Sequence, residues 1–255
     1  VSNISDGVTS DTVASGSPGE ITNDWGKLTI NDDGSYNFVA NGSESQKLDT
    51  GESATVVFTY TANDGTVGTT NTLTITINGV NDAADPAPDF GTVNEDATLT
   101  VPVTGGVLVN DTDVDGDPLT VSRIAFGATS DTVAAGNPGV ITNAWGTLTI
   151  NDDGSYEFVA DGASSQQLDV GESATVVFTY TANDGTVGTT ETLTITILGQ
   201  NDAPVAVPDS TSTREDEPKE VNVLVNDTDV DGEPLTITQV NGQDVVDGNG
   251  DPVVI

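Results

Sequence analysis

The chain is 255 residues long, with 41 acidic side chains, 5 basic ones and no histidine, so its net charge is 5 − 41 = −36. Nucleic acid and anionic membrane are poor partners for such a surface. Cysteine, methionine and histidine are all absent, which removes disulfides, soft metal ligands and the usual general base together.

Hydrophobic residues at 35% still suffice for small cores, which argues against wholesale disorder. The Cys-free, Lys-poor, acidic composition suits export into salty, oxidising surroundings. No apolar run approaches the ~20 residues that span a bilayer. The opening "VSNISDGVTS" resembles neither a signal nor a transit peptide, so an export address would lie outside these residues.

In chain order, "LTINDDGSY" at 28–36 and "GESATVVFTYTANDGTVGTT" at 51–70 come first, and both recur unchanged at 148–156 and 171–190. The offset is 171 − 51 = 120. After the linker "GVNDA" at 79–83, strands are expected over 93–102 and 107–110. Leu148 and Ile150 alternate with threonines, Tyr156 and Phe158 follow the "NDDG" turn, and Val176, Phe178 and Tyr180 alternate along 174–181. Leu193, Ile195 and Ile197 close the series. Alternation of period two without a helical stripe predicts an all-β chain of immunoglobulin-like antiparallel sandwiches. Trp25 and Trp145 read as core or edge packing. "NDDG" at 31–34 and 151–154 reads as an ordinary turn.

A third copy opens at Asn201-Asp202-Ala203-Pro204, and "VLVNDTDVDG" at 223–232 answers 107–116. The expected organisation is therefore the C-terminal part of one module at 1–83, a whole module at 84–203, and the N-terminal part of a third at 204–255.

"VNDTDVDGDPLT" at 109–120 crowds Asp111, Asp113, Asp115 and Asp117 into seven residues, and "VNDTDVDGEPLT" at 225–236 repeats the pattern with Asp227, Asp229, Asp231 and Glu233. Only a hard, oxygen-seeking cation such as calcium offsets that repulsion. The loops are not EF-hands, because position twelve is Ser122 or Thr238 where a bidentate glutamate is required. Further ligands must come from elsewhere in the fold. Strand counting places the loop after the second strand, the sixth–seventh loop "ANDGTVG" at 182–188 and the incoming linker at one pole. That gathers Asn81, Asp82, Asp111, Asp113, Asp115 and Asp184. Asp117 and Glu233 precede proline and are weaker candidates.

Glu95 in "NEDATL", the Asp111-x-Asp113 pair and the Asn-Asp linker together resemble the calcium motifs of cadherin-type modules. With "GTLTINDDGSYEFVA", "VVFTYTANDGT" and "TLTITILGQNDAP", the whole repeat is similar to VCBS-type and bacterial cadherin-like repeats of giant secreted RTX-type adhesins. The resemblance implies that Glu95 lies at the far pole of its own module and serves the next junction, with Asn201, Asp202, Asp227, Asp229 and Asp231. It implies bound Ca2+, and partners that are neighbouring modules of the same chain joined through calcium-bridged linkers.

The expected function is a calcium-stabilised spacer on a bacterial surface, extending a distal binding region for attachment or biofilm formation. The alternatives are a subunit of an extracellular filament or surface layer, in which chains also pair, and a glycan-binding module. Aromatics at 5%, mostly at alternating core positions, give the glycan reading little support. An enzyme is disfavoured, since no nucleophile and base stand out among the many carboxylates.

Overall fold

The computed structural model describes residues 1–245; the last ten positions expected in the third module lie outside the described residues. The described chain is all-β. The first repeat supplies β1 (Asn3–Ser5), β2 (Ser10–Thr12), β3 (Gly19–Asn23), β4 (Gly26–Ile30), β5 (Tyr36–Val39), β6 (Ser53–Asn63) and β7 (Gly68–Asn78). The central repeat supplies β8 (Asp89–Asn94), β9 (Thr98–Val101), β10 (Thr120–Phe126), β11 (Thr129–Thr132), β12 (Gly139–Asn143), β13 (Gly146–Ile150), β14 (Tyr156–Val159), β15 (Ser173–Asn183) and β16 (Gly188–Leu198). Two short strands, β17 (Gln239–Val240) and β18 (Gln243–Asp244), pair antiparallel beyond it.

Two compact units emerge. One holds residues 1–87, 108–122 and 180–191, and the other holds 88–107, 123–179 and 192 onward.

In the first unit, the sheets β2-β1-β6-β7 and β3-β4-β5 enclose Ile4, Ile21, Leu28, Ile30, Val56, Phe58 and Ile77. The long β6–β7 hairpin, paired from Ser53–Asn78 to Asn63–Gly68, alternates these apolar side chains with outward threonines, as a one-sided sheet requires. Trp25 packs, partly buried, against this core, so it serves edge packing as expected. At "NDDG", Asp33 Oδ1 accepts the Ser35 N–H at 2.9 Å and its hydroxyl at 2.6 Å, and the Gly34 N–H bonds the Asn31 carbonyl at 3.0 Å. That is a self-bonded turn, as the composition implied.

The central repeat has one more strand in each sheet, ordered β11-β10-β15-β16-β8 and β12-β13-β14-β9. In the second unit Phe178 packs on Phe126 and Phe158, with ring centroids 5.5 and 5.9 Å apart. These are tilted arrangements favoured by aromatic quadrupoles. Leu193, Ile195 and Ile197 complete the core.

Two strand expectations need correction. The single strand expected over 93–102 is split: β8 runs parallel to β16, pairing Leu193 with Asp89 through Leu198 with Asn94, and β9 runs antiparallel to β14. The switch between sheets falls at Glu95-Asp96-Ala97. Asp96 takes a left-handed φ of 59°, which aspartate tolerates because its short side chain bonds locally; here its carboxylate accepts the Gln166 amide at 2.8 Å. The second correction is that residues 107–110 form no strand, because the chain there turns into the acidic loop.

Candidate metal centre

Both acidic loops fold by the same device. Asp113 Oδ1 accepts the backbone N–H of Asp115 at 2.9 Å and of Gly116 at 3.1 Å, and Asp229 Oδ1 accepts that of Asp231 at 3.0 Å. Gly116 and Gly232 carry the positive φ, 85° and 86°, that lets the loop close. Each linker is then tied to its loop. Asp82 N–H donates to Asp115 Oδ2 at 2.6 Å and Asp202 N–H to Asp231 Oδ2 at 2.7 Å. A two-way backbone bridge joins Asp85 to Thr112, and another joins Val205 to Thr228, each with bonds of 2.7 and 3.1 Å.

The linker also leans on the turn that precedes the long hairpin. Gly79 N–H reaches the Glu52 carbonyl, and Gly199 N–H the Glu172 carbonyl, both at 3.0 Å. A Cβ on Gly79 would lie 2.2 Å from the Asp49 carbonyl oxygen, and one on Gly199 would lie 2.3 Å from that of Asp169. No side chain fits there, so glycine is what allows the linker to approach that turn.

This approach delivers carboxylates that the loop motifs alone do not reveal. Asp49 joins Asp115 and Asp117 with carboxylate oxygens all within 4.8 Å of one another, and Asp169 joins Asp231 and Glu233 in the same way. Asp117 and Glu233, the weaker candidates for preceding proline, thus lie beside the loop carboxylates Asp115 and Asp231. The signal that could have found Asp49 and Asp169 is the repeated Leu-Asp-x-Gly-Glu string at 48–52 and 168–172.

In the first unit Asn81 donates both amide hydrogens, to Asp184 Oδ2 at 3.0 Å and to the Asp82 carbonyl at 2.6 Å. Asp184 also accepts the N–H groups of Thr186 and Val187, each at 2.6 Å. Those backbone bonds, the one from Val187 foremost, hold its carboxyl below the usual range. Asp111 Oδ1 accepts the Ala87 N–H at 2.9 Å, and both Asp111 oxygens lie 3.0 Å from the Tyr180 hydroxyl. Burial nevertheless pushes Asp111 up, and the carboxylates of Glu191 and Asp85 add to it. The structure therefore gives Asp111 a protein-held place, as it does Asp227, which accepts the Val207 N–H at 2.8 Å.

In the second unit Glu95 is 1% exposed and accepts the Gln200 N–H, while the Gln200 side chain donates to the Glu95 carbonyl at 3.1 Å. Burial raises its carboxyl, and Asp202, Asp231 and Asp96 raise it further. Asn201 donates to the Asp202 carbonyl. Desolvation also raises Asp202 and Asp117, the latter helped by Asp49, Asp113, Asp115 and Asp184. Glu233 is raised first by a hydrogen bond with Asp229 and then by desolvation.

One observation tests whether these residues fit a cation. Asp113 Oδ2 and Asp115 Oδ1 in the first unit are buried and meet no hydrogen-bond donor among the described residues. Glu95 Oε2, Asp202 Oδ2 and Asp231 Oδ1 in the second are in the same condition. A buried carboxylate oxygen without a donor forfeits its hydration for nothing. Such oxygens on residues beside the close carboxylate groups of Asp115 and Asp231 suit a hard divalent ion held entirely by oxygen. The residues fit calcium.

Residues 81–199 match the bacterial cadherin-like domain family, and residues 201–254 match the bacterial Ig domain family. Over those two stretches the chain is similar to bacterial cadherin-like and bacterial Ig domains. Domains of those two families are generally extracellular structural modules, and cadherin-like domains typically bind calcium. No curated protein matches the chain.

Among solved structures, mouse clustered PcdhgC3 EC1-3 is similar at 12% identity and TM-score 0.35, over 78% of this chain and 54% of that one. Drosophila N-cadherin EC1-4 is similar at 12% identity and TM-score 0.39, over 71% and 41%. An endo-fucoidan hydrolase from glycoside hydrolase family 107 is similar at 19% identity and TM-score 0.27, over 71% and 23%. The chain spans about half or less of the length of these solved chains. No helix among the described residues is long and apolar enough to cross a membrane.

Proposed function

We propose that these repeats are calcium-stabilised spacers of a secreted bacterial surface adhesin, in which each module boundary stiffens when a divalent ion is held there. The supporting observation is the set of buried carboxylate oxygens without donors, gathered beside each Asn-Asp linker. Calcium, when bound, supplies positive charge and coordination to oxygens that the protein leaves bare. Asp49, Asp82, Asp113, Asp115 and Asp117 would hold it in the first unit, and Glu95, Asp169, Asp202, Asp231 and Glu233 in the second. Without it, like charges within a few ångströms repel and the linker is free to bend. The chain acts by extension and not by catalysis, and its task is to carry a binding region outward.

Scattering and calorimetry test this together. In about 10 mM calcium the chain should be longer and melt on the order of 10 °C higher than in chelator, because saturating a site at a hundred times its Kd adds about 2.7 kcal/mol. Equal length and equal melting temperature in the two buffers would reduce the acidic loops to turns.

A further inference from the structure

Asparagine or aspartate precedes glycine eleven times among the described residues. In that dipeptide the glycine nitrogen can attack the side-chain carbonyl carbon of the residue before it, because a residue without a Cβ lets the chain fold back closely enough. Attack needs a free nitrogen. At most of these pairs the glycine N–H is already committed: Gly34 and Gly154 donate to the carbonyls of Asn31 and Asn151 at 3.0 and 3.1 Å, and Gly65 and Gly185 to the side chains of Asn63 and Asn183 at 2.6 and 2.9 Å. Gly7 donates to the Ser5 hydroxyl at 3.0 Å, Gly116 to Asp113 at 3.1 Å and Gly79 to the Glu52 carbonyl at 3.0 Å. Two pairs at matching places in the first and central repeats differ. At Asn41-Gly42 and Asp161-Gly162 the glycine N–H meets no acceptor among the described residues, and the side chain before it is exposed. The central repeat shows this bare nitrogen with β8 and β9 both in place, so the feature belongs to the loop itself. Gly232 and Gly242 are bare as well, but Asp231 is engaged by the Asp202 N–H at 2.7 Å. Asn241-Gly242 is the two-residue turn of the β17–β18 hairpin, with left-handed φ of 52° and 78° that hold it in that turn.

We infer that Asn41 and Asp161 are sites of spontaneous covalent modification, reacting through the same cyclic imide. The Gly42 nitrogen gives its proton to solvent and bonds to the Asn41 side-chain carbonyl carbon, and the amide nitrogen leaves that carbon as ammonia. At Asp161 the same ring closure expels water. Water then opens the imide at either of its carbonyls, breaking one carbon–nitrogen bond. One opening yields an ordinary aspartate, which the central repeat already has at this place; the other yields isoaspartate, whose extra methylene lies in the main chain. The loop has no slack for that methylene. The Gly42 carbonyl accepts the N–H groups of Ser45 and Gln46 at 3.1 and 3.2 Å and the Ser45 hydroxyl at 2.8 Å, and the Gly162 carbonyl does the same for Ser165 and Gln166 at 3.0, 3.2 and 2.7 Å. A Cβ on Gly42 would lie 2.1 Å from the Asp24 carbonyl oxygen, and one on Gly162 would lie 2.2 Å from that of Ala144. Isoaspartate therefore loosens the short helical turn at Ser45–Lys47 or Ser165–Gln167, which runs on into Asp49 or Asp169.

The inference stands apart from the calcium reading and is tested at constant calcium. The full chain is aged in mildly alkaline buffer, a parallel sample is aged in denaturant, and both are read by peptide mapping that separates asparagine, aspartate and isoaspartate. In the folded chain Asn41 should convert about tenfold faster than Asn78, whose glycine must first give up its hydrogen bond. In denaturant the two should convert at similar rates, since both are Asn-Gly pairs. Isoaspartate should likewise build up at Asp161 about tenfold faster than at Asp153 in the folded chain. Asn41→Gln, which would need a larger ring, should stop conversion at 41 and leave the rate at 161 unchanged. Equal rates at Asn41 and Asn78 in the folded chain would overturn the inference, as would isoaspartate at Asp153 matching that at Asp161. Asn41 that stayed intact when folded yet reacted in denaturant would overturn it too, because the bare nitrogen would then be out of reach of the side chain.

Discussion

Around Asp115 the third carboxylate is an aspartate, Asp117, whereas around Asp231 it is the longer Glu233. The first unit also brings Asp184 to its linker through Asn81, and the second brings the buried Glu95. The common parts are the Asp-Gly loop, the linker N–H on its third aspartate, and the carboxylate that follows Leu48 or Leu168. What this teaches is a division of labour. Backbone bonds fix the loop and linker alike in both places, while one carboxylate beside that frame, Asp117 or Glu233, differs in length, as a flexible oxygen-ligated ion allows.

Breaking one cluster at a time is the strongest test. Asp231→Ala removes a buried bare oxygen and the acceptor for Asp202 N–H, and should lower calcium affinity in the second cluster about a hundredfold, or ~2.7 kcal/mol. The first cluster should be unaffected. Asp115→Ala should do the reverse, and isothermal titration would resolve the two classes. If either substitution weakened both clusters equally, they would not be independent.

Glu95→Gln probes the buried carboxylate that faces Asp202 and Asp231 in the second cluster. It should weaken calcium in the second cluster about tenfold, yet raise stability in chelator by about 1 kcal/mol by discharging a buried carboxylate among like charges. Denaturant melts in both buffers would read the opposite signs.

Acidity gives a smaller effect. A carboxyl whose folded pKa lies above its unfolded value binds its proton more tightly when folded. Its contribution is complete below the unfolded value and is lost as pH rises through the folded one. Glu95, Asp111, Asp117, Asp202 and Glu233 are of this kind, with ordinary values of 3.8 for aspartate and 4.5 for glutamate. The lowered groups, Asp184 among them, exert their opposite influence below 3.8. In chelator the melting temperature should therefore rise as pH falls from neutrality toward the ordinary glutamate value of 4.5. In calcium it should fall over the same range, because protons compete for the ligands. A chelator melt that was flat or fell on acidification would contradict the burial of these groups.

The exchange Asp117→Glu is the mildest test. It should change calcium affinity of the first cluster less than about threefold, under ~0.7 kcal/mol, since Glu233 already occupies the counterpart position in the second. A tenfold loss would mean that the frame specifies side-chain length after all.

The alternation of Val176, Phe178 and Tyr180 and of Leu193, Ile195 and Ile197 made the β architecture legible, because one-sided burial leaves a period of two. The loop aspartates were legible because four like charges in one short string repel unless a cation lies among them. Asp49 and Asp169 were not. Each is a single aspartate in a plain turn, and only the approach of a linker glycine some 30 residues later in the sequence makes it a neighbour. The split of 93–102 into β8 and β9 was hidden too. Val93, Ala97, Leu99 and Val101 keep to odd positions on both sides of Glu95, so the apolar pattern does not change parity where the chain crosses from one sheet to the other at Asp96.

The glycine at each linker has a bearing on inheritance. Gly79 and Gly199 lie 199 − 79 = 120 positions apart, as do Asp49 and Asp169. An unequal crossover that adds or deletes one repeat length of codons therefore carries glycine, turn and linker along together. Such a gene can lengthen or shorten its product without redesigning any boundary, whereas a point mutation to any larger residue at that glycine would spoil one boundary and spare the rest.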